Sequence, residues 1–234
     1  MGQLEGQFVI VAGYGSSLRD AAVERIMAEG AEIAIVEPTA EAVTAAAEKA
    51  GRLNALVNVL RSSMKWNQIA DGVGNAMADM LGQVAAFAET MRTAHPYLKK
   101  TEGRIANVCS IYGSTAFSGL SENVTADHAI QGLTKSAGVE FARDLIRVNC
   151  IVPGALDVPE LRDFRQRHEA ETERRTHAIS LRRLGDPVED FGGALMLLLS
   201  DEGRHLVGHP IYADGGQHLG APIVEPGANY ARMS

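Results

Sequence analysis

Ser110, Tyr112, Asn123 and Asp127 fall within one stretch, SIYGSTAFSGLSENVTADHAIQGLTK, which places an alcohol, a phenol, an amide and a carboxylate on consecutive short segments. A phenol can work as a general acid or base because it ionises and its pKa follows nearby charge, and Tyr112 supplies one only as a rescue. Asp127 gives it the wrong field: a carboxylate raises the pKa of an acid beside it and repels its anionic form. Asn123 offers an amide with no usable proton near neutral pH. Ser110, at the end of an apolar run, reads as a structural hydroxyl satisfied by a nearby backbone group. A second set follows the first apolar run, in Ala12-Gly13-Tyr14-Gly15-Ser16-Ser17-Leu18-Arg19. A lone Gly-x-Gly is weak support for a phosphate site and reads better as a tight strand-to-helix turn. Arg19 has the chemistry to pair with a phosphate, yet an ordinary surface or salt-bridged Arg is the stronger expectation. Between Glu160 and Arg183 stand Arg162, Arg165, Arg167, Arg174, Arg175, Arg182 and Arg183 among several acids. Such a cluster suits an acidic ligand, for instance the phosphates of an acyl-CoA, while a solvated helix laced with i,i+4 pairs is the default.

The elements that must position these residues alternate. Short β-branched runs (FVIVA, EIAIVE, LNALVNVL, RIANVCS, IRVNCIVPG) are separated by helical patterns, and a last strand is expected near HPIYADGG. The helices include LRDAAVERIMAEG, AEAVTAAAEKAG, a long amphipathic stretch from Asn75 to Leu98, another from about Val124 to Arg143, a charged region from Glu160 to Ile179, and PVEDFGGALMLLLS. This order implies parallel strands with helical crossovers, the doubly wound α/β arrangement. Gly30, Gly51 and Gly103 stand where helices should end.

With 234 residues, 46% of them hydrophobic, the chain is long enough for one sizeable core, and 1–234 reads as a single domain. A net charge of −7 without a basic block argues against nucleic acid or an anionic membrane as partner. Cys109 and Cys150 lie in apolar runs without a CxxC or a His-rich neighbourhood, so they read as core thiols in a reducing compartment, and no metal site is expected. The first strand begins by Phe8, leaving no room for a signal peptide, and ALMLLLS is too short to cross a bilayer. A cytoplasmic location is the expectation.

The segments GRIANVCS, HAIQGLTKSAGVEFA, IRVNCIVPG and LRRLGDPVEDFGGALMLLLSDEGRHLVGHPIYADGG, in that order, resemble the short-chain dehydrogenases/reductases over nearly the whole chain. The resemblance implies a Rossmann-like sheet that binds NAD or NADP, with a Ser, a Tyr and a Lys as proton-transfer residues and a helper Asn. Carried onto this sequence, the Ser is Ser110; Asn123 stands at the Tyr position, Asp127 at the Lys position and Gln83 at the Asn position. In the family's glycine loop only Gly13 is in register, with Ser17 and Arg19 replacing the second and third glycines. Asn58 remains of an Asn-Asn-Ala-Gly segment that continues here as Val59-Leu60-Arg61. Between Glu37 and Asn54 there is room for one helix, so a βα unit of roughly 30 residues is missing. In the order 3-2-1-4-5-6 that unit forms the sheet edge, which leaves six strands and exposes the second. Glu37 then reads as an edge charge rather than a ribose ligand, and Pro38 and Glu32 would protect the same edge.

By this resemblance the chain is expected to hold no catalytic residues and to bind no cofactor itself. It is similar to the non-catalytic subunits of heteromeric family members, among them the dehydrogenase acting on a hydroxybenzylsuccinyl-CoA in anaerobic toluene degradation. The expected role is a silent subunit that stabilises an active paralogue carrying NAD or NADP, as a hetero-oligomer such as a heterotetramer. The long helices and the tail 217–234 would form the interface. Two alternatives are an enzyme with repurposed, nicotinamide-independent chemistry and a homo-oligomeric ligand-binding or sensor protein.

Overall fold

The computed structural model describes residues 2–59, 68–72, 75–115 and 118–220. Six parallel strands form one sheet: β1 (Phe8–Gly13), β2 (Glu32–Val36), β3 (Ala55–Val59), β4 (Arg104–Val108), β5 (Arg147–Pro153) and β6 (Pro210–Ala213), in the spatial order β2-β1-β3-β4-β5-β6. The helices are α1 (Ser17–Ala28), α2 (Ala40–Ala50), α3 (Ala76–Leu98), the short α4 (Tyr112–Thr115), α5 (Ser121–Phe141), α6 (Arg162–Arg167), α7 (Glu169–His177) and α8 (Gly192–Leu199). The doubly wound α/β expectation and its six strands are what the structure contains. With one helix between β2 and β3, the sheet stops at β2, none of whose side chains is fully buried. Its start is guarded by the Glu32–Arg52 ion pair at 2.9 Å.

The central strands are buried on both faces, as crossover helices require. One face packs Val9, Val11, Val57 and Ile151 against Ile26 of α1 and Phe191, Leu195 and Leu199 around α8. The other packs Ile10, Leu56, Ile105 and Val148 against Val43 and Ala47 of α2 and Met91, Ala94 and Leu98 of α3. A third cluster joins α3 and α5 to the C-terminal half of the sheet through Met80, Phe87, Cys109, Ala126, Ile130 and Cys150.

Local chemistry sets the helix ends. Ser16 caps α1 by accepting from the Arg19 N–H, Thr39 caps α2 by accepting from the Ala42 N–H, and Gly51 closes α2 with φ +68°. Gly103 corrects the expectation of a helix-ending glycine, because α3 stops at Leu98 and Gly103 leads into β4. A Cβ there would lie 2.7 Å from the Asn54 carbonyl oxygen, so close backbone approach is the requirement. The charged region after β5 forms a turn at Pro159–Leu161 and the helices α6 and α7, none of which buries a side chain. Among the described residues no helix is long and apolar enough to cross a membrane. Leu60, Arg61 and tail residues 221–234 lie outside the described residues.

Candidate functional site

Parallel strands deliver their C-terminal ends to one edge of the sheet, and in open α/β folds that edge is where ligands bind. Ser110 follows β4 at this edge and is buried, as are Asn123 and Asp127 on successive turns of α5. Ser110 meets the backbone, as expected, its hydroxyl accepting from the Tyr112 N–H at 3.4 Å, and it also has a side-chain partner. Its Oγ donates to Asp127 Oδ2 at 2.5 Å, and its N–H donates to Asp127 Oδ1 at 2.8 Å. A third donor, the Gly113 N–H, reaches Asp127 Oδ2 at 3.1 Å. Gly113 allows this approach, since a Cβ on it would stand 2.5 Å from the Asp127 Cβ.

Two opposing effects set the acidity of Asp127. Burial favours the neutral acid, and the three hydrogen bonds favour the carboxylate. Burial prevails, and the pKa is pushed up to about 6. Tyr112 is raised from the ordinary phenol value, first by burial and then by the Asp127 charge, which keeps it protonated near neutral pH. The result is a buried carboxyl that titrates near physiological pH, in direct contact with an alcohol oxygen.

The other expected site residues are placed elsewhere. Gln83 is half-buried on α3 and donates to the Met80 thioether at 3.4 Å. Asn58 belongs to a buried polar ladder: its amide donates to Asn107 Oδ1 at 3.0 Å, while its own oxygen accepts from Thr90 Oγ1 at 2.8 Å. Asn107 in turn donates to Thr134 Oγ1 at 3.0 Å, so this ladder ties β3 and β4 to α3 and α5. Gly13 is needed for packing, since a Cβ there would lie 2.9 Å from the Val59 carbonyl oxygen. Arg19 is paired with Asp20 at 2.7 Å. The Cys109 and Cys150 sulfurs lie 2.8 Å apart as buried free thiols, and the Cys150 contact and burial push the Cys109 pKa up, which makes it unreactive. Among the described residues no His, Cys, Asp and Glu cluster could hold a metal.

A feature that sequence reasoning missed lies at the entrance to α1. Glu160, just past β5, accepts from the Ser17 N–H at 3.1 Å and from the Ser17 hydroxyl at 2.5 Å. Its only sequence signal was membership in a charged segment. A dinucleotide in this fold places its pyrophosphate on that helix N-terminus. Here the donors at Ser17 are already taken by a carboxylate, and among the described residues no further strand lies beside β2 to wall an adenine pocket. The residues present therefore do not fit a dinucleotide in this arrangement.

Comparison with known proteins gives the family. A model described as Enoyl-(Acyl carrier protein) reductase matches residues 9–218. A 12alpha-hydroxysteroid dehydrogenase from a Clostridium species is 28% identical over 183 residues, covering 75% of this chain and 68% of the relative. The 2,5-dichloro-2,5-cyclohexadiene-1,4-diol dehydrogenase LinX of Sphingobium indicum is 27% identical over 233 residues, covering 92% and 88%. Among solved structures, the aldohexose dehydrogenase of Thermoplasma acidophilum superposes with a TM-score of 0.81 at 25% identity, over 95% of this chain and 98% of that one. These findings overturn the expectation of an inactive subunit that scaffolds a paralogue: the relatives are named dehydrogenases, and they point to an oxidoreductase. Reading the positions one by one did not register the contact that Ser110 and Asp127 make with each other.

Proposed function

The chain belongs to the short-chain dehydrogenase/reductase superfamily, and from that premise we propose that it is an oxidoreductase interconverting a ring-borne secondary alcohol and its ketone, with Ser110 and Asp127 moving the proton. The substrate class follows the printed names of the hydroxysteroid and cyclohexadienediol dehydrogenases to which the chain is similar. The observation that carries the reading is the buried Ser110–Asp127 contact around a carboxyl with a pKa of about 6.

In the oxidising direction the substrate hydroxyl donates to Ser110 Oγ, and Ser110 passes its own proton to Asp127 Oδ2. In the reducing direction the protonated Asp127 returns a proton through Ser110 to the carbonyl oxygen. A group with a pKa near the working pH is the efficient choice for such transfer, because both its forms are populated. The N–H groups of Ser110 and Gly113 fix the carboxyl, so its lone pairs face Ser110 whichever form is present. These residues carry the proton half of the reaction; the hydride would pass to a nicotinamide dinucleotide supplied from solution as co-substrate, whose binding would require the α1 entrance to leave the arrangement in which Glu160 holds Ser17.

The test is a panel of hydroxysteroids and cyclic diols incubated with the purified chain, with NAD+ and NADP+ offered as hydride acceptors and ketone read by mass spectrometry. Oxidation requires the carboxylate, so the rate is expected to rise with pH through about 6. Asp127→Asn should lower it by about 10²–10⁴-fold, the usual contribution of a positioned acid/base. No ketone from any substrate, or an unchanged profile in Asp127→Asn, would refute the assignment.

A further inference from the structure

The last strand ends in a second acid-bearing constellation that the proton transfer does not use. Asp214, just past β6, is buried and held by one turn of chain: its Oδ1 accepts from the Gly216 N–H at 3.0 Å, and its Oδ2 accepts from the His218 N–H at 2.7 Å. The same Oδ2 lies 2.7 Å from His218 Nδ1. A buried carboxylate on one ring nitrogen fixes the tautomer, because Nδ1 must carry the proton of that bond, and Nε2 is left as the second polar atom of the ring. The His218 ring is stacked on Tyr212, with centroids 4.1 Å apart and planes 19° from parallel. The side chain is 29% exposed, and among the described residues no hydrogen bond uses Nε2.

This constellation stands beside the Ser110–Asp127 pair. The Tyr212 hydroxyl accepts from Ser114 Oγ at 3.1 Å, and Ser114 belongs to α4, the short helix that starts two residues after Ser110. Tyr212 packs on the same cluster as Tyr112, Cys109 and Ala126, so both groups lie on the α3 and α5 side of the sheet. Strand register sets their separation. Val108 of β4 is paired with Ile151 of β5, and Pro153 of β5 with Ala213 of β6, so Ser110 stands level with Ala213, two strands away. At about 4.8 Å per strand spacing, roughly 10 Å separates the strand ends that carry the two groups.

We infer that His218 is the second polar contact of the substrate: a ring alcohol held at Ser110 carries a further hydroxyl, on a different ring of a fused skeleton, that hydrogen-bonds to His218 Nε2. The inference rests on the proposed ring-alcohol chemistry and narrows its substrate to a dihydroxylated class. Neighbouring carbons of one ring place their oxygens too close together to span the two groups. A hydroxyl suits Nε2 in either state of the ring, since it donates to the neutral imidazole and accepts from the charged one. Asp214 and the Tyr212 stack orient the ring before the substrate arrives, so little side-chain freedom is lost when the contact forms. His218 touches no reacting atom in this arrangement and determines specificity. Because the ring is partly exposed, water replaces a missing hydroxyl, and the expected preference is about tenfold rather than the larger factors of a sealed site.

The test compares the full chain with His218→Ala and His218→Gln. Calorimetry, with and without NAD+ or NADP+, measures binding of a dihydroxysteroid with hydroxyls on two non-adjacent rings and of the two monohydroxysteroids that each lack one of them. The unaltered chain is expected to bind the dihydroxysteroid about tenfold more tightly than either monohydroxy compound. In His218→Ala the dihydroxysteroid should bind no better than one of the two, whose own affinity is unchanged, and His218→Gln, whose amide also meets a hydroxyl, should keep part of the preference. A merely structural His218 lowers the affinity for all three compounds alike in His218→Ala, and that result overturns the inference. So does a preference below threefold in the unaltered chain, or no binding of the dihydroxysteroid under any of these conditions. The His218-dependent preference without ketone from any compound would refute the proton transfer alone. Ketone formed equally from mono- and dihydroxysteroids, with no preference in binding, would refute the second contact alone.

Discussion

Replacing Asp127 with Asn removes a charge from the interior while keeping the shape of the side chain, and its effect on stability is predictable in sign. The carboxyl has an ordinary value of 3.8 and a value of about 6 in the fold. At pH values between these, the unfolded chain has released the proton and the folded chain has not. Folding stability therefore falls as pH rises through that window, by about 3 kcal/mol in all, and this contribution is constant above about pH 7. Roughly 2 kcal/mol of that fall lies between pH 4.5 and 7.5. The Asn variant has no such titration. It also gives up acceptance by one carboxyl oxygen from the Ser110 hydroxyl and the Gly113 N–H, a loss of about 1–3 kcal/mol. Relative to the unaltered protein, the variant should gain about 2 kcal/mol on going from pH 4.5 to 7.5, a relative rise in Tm of about 4–8 °C for a chain of this size. Urea and thermal unfolding followed by circular dichroism at several pH values would measure it. Taking the difference between the two proteins cancels the other titrating groups. A difference that is flat across this range would show that Asp127 is ionised in the fold at pH 4.5, and the acid/base role would fail with it.

Other substitutions test the supports of the site. Gly113→Ala should cost about 1–3 kcal/mol by overpacking against the Asp127 Cβ, and should shift the midpoint of any pH–rate profile because the Gly113 N–H moves off the carboxyl. Asn58→Ala should cost about 2–4 kcal/mol in urea unfolding, since Thr90 and Asn107 each lose a buried partner, and it should do so equally at all pH values. Gly51→Ala places a Cβ on a φ +68° helix end with open space around it, so the expected loss is only about 1 kcal/mol, read as a small drop in Tm.

The strand and helix order, the parallel sheet and the shortened edge follow from the chain itself, because period-two and helical hydrophobic patterns are local and parallel strands need crossovers of a set length. That the resemblance sets Asn123 and Asp127 at the Tyr and Lys positions is equally legible, being a matter of spacing. What these residues do instead is not. Asp127 meets Ser110 because β4 ends where α5 begins to cross it, and Gly113 lets the intervening turn collapse onto the carboxyl. Until that contact and its burial exist, Asp127 is an ordinary acid on a helix, and only desolvation inside the fold moves its pKa toward neutrality. The same holds for the ladder of Asn58, Thr90, Asn107 and Thr134, whose members are scattered over two strands and two helices. Glu160 and Ser17 are the extreme case, since nothing local to either residue encodes a contact that arises only when the chain after β5 returns over the start of α1. Local sequence specifies which elements form; the acidity of a buried group and the occupant of a helix end depend on neighbours that only the assembled sheet brings together.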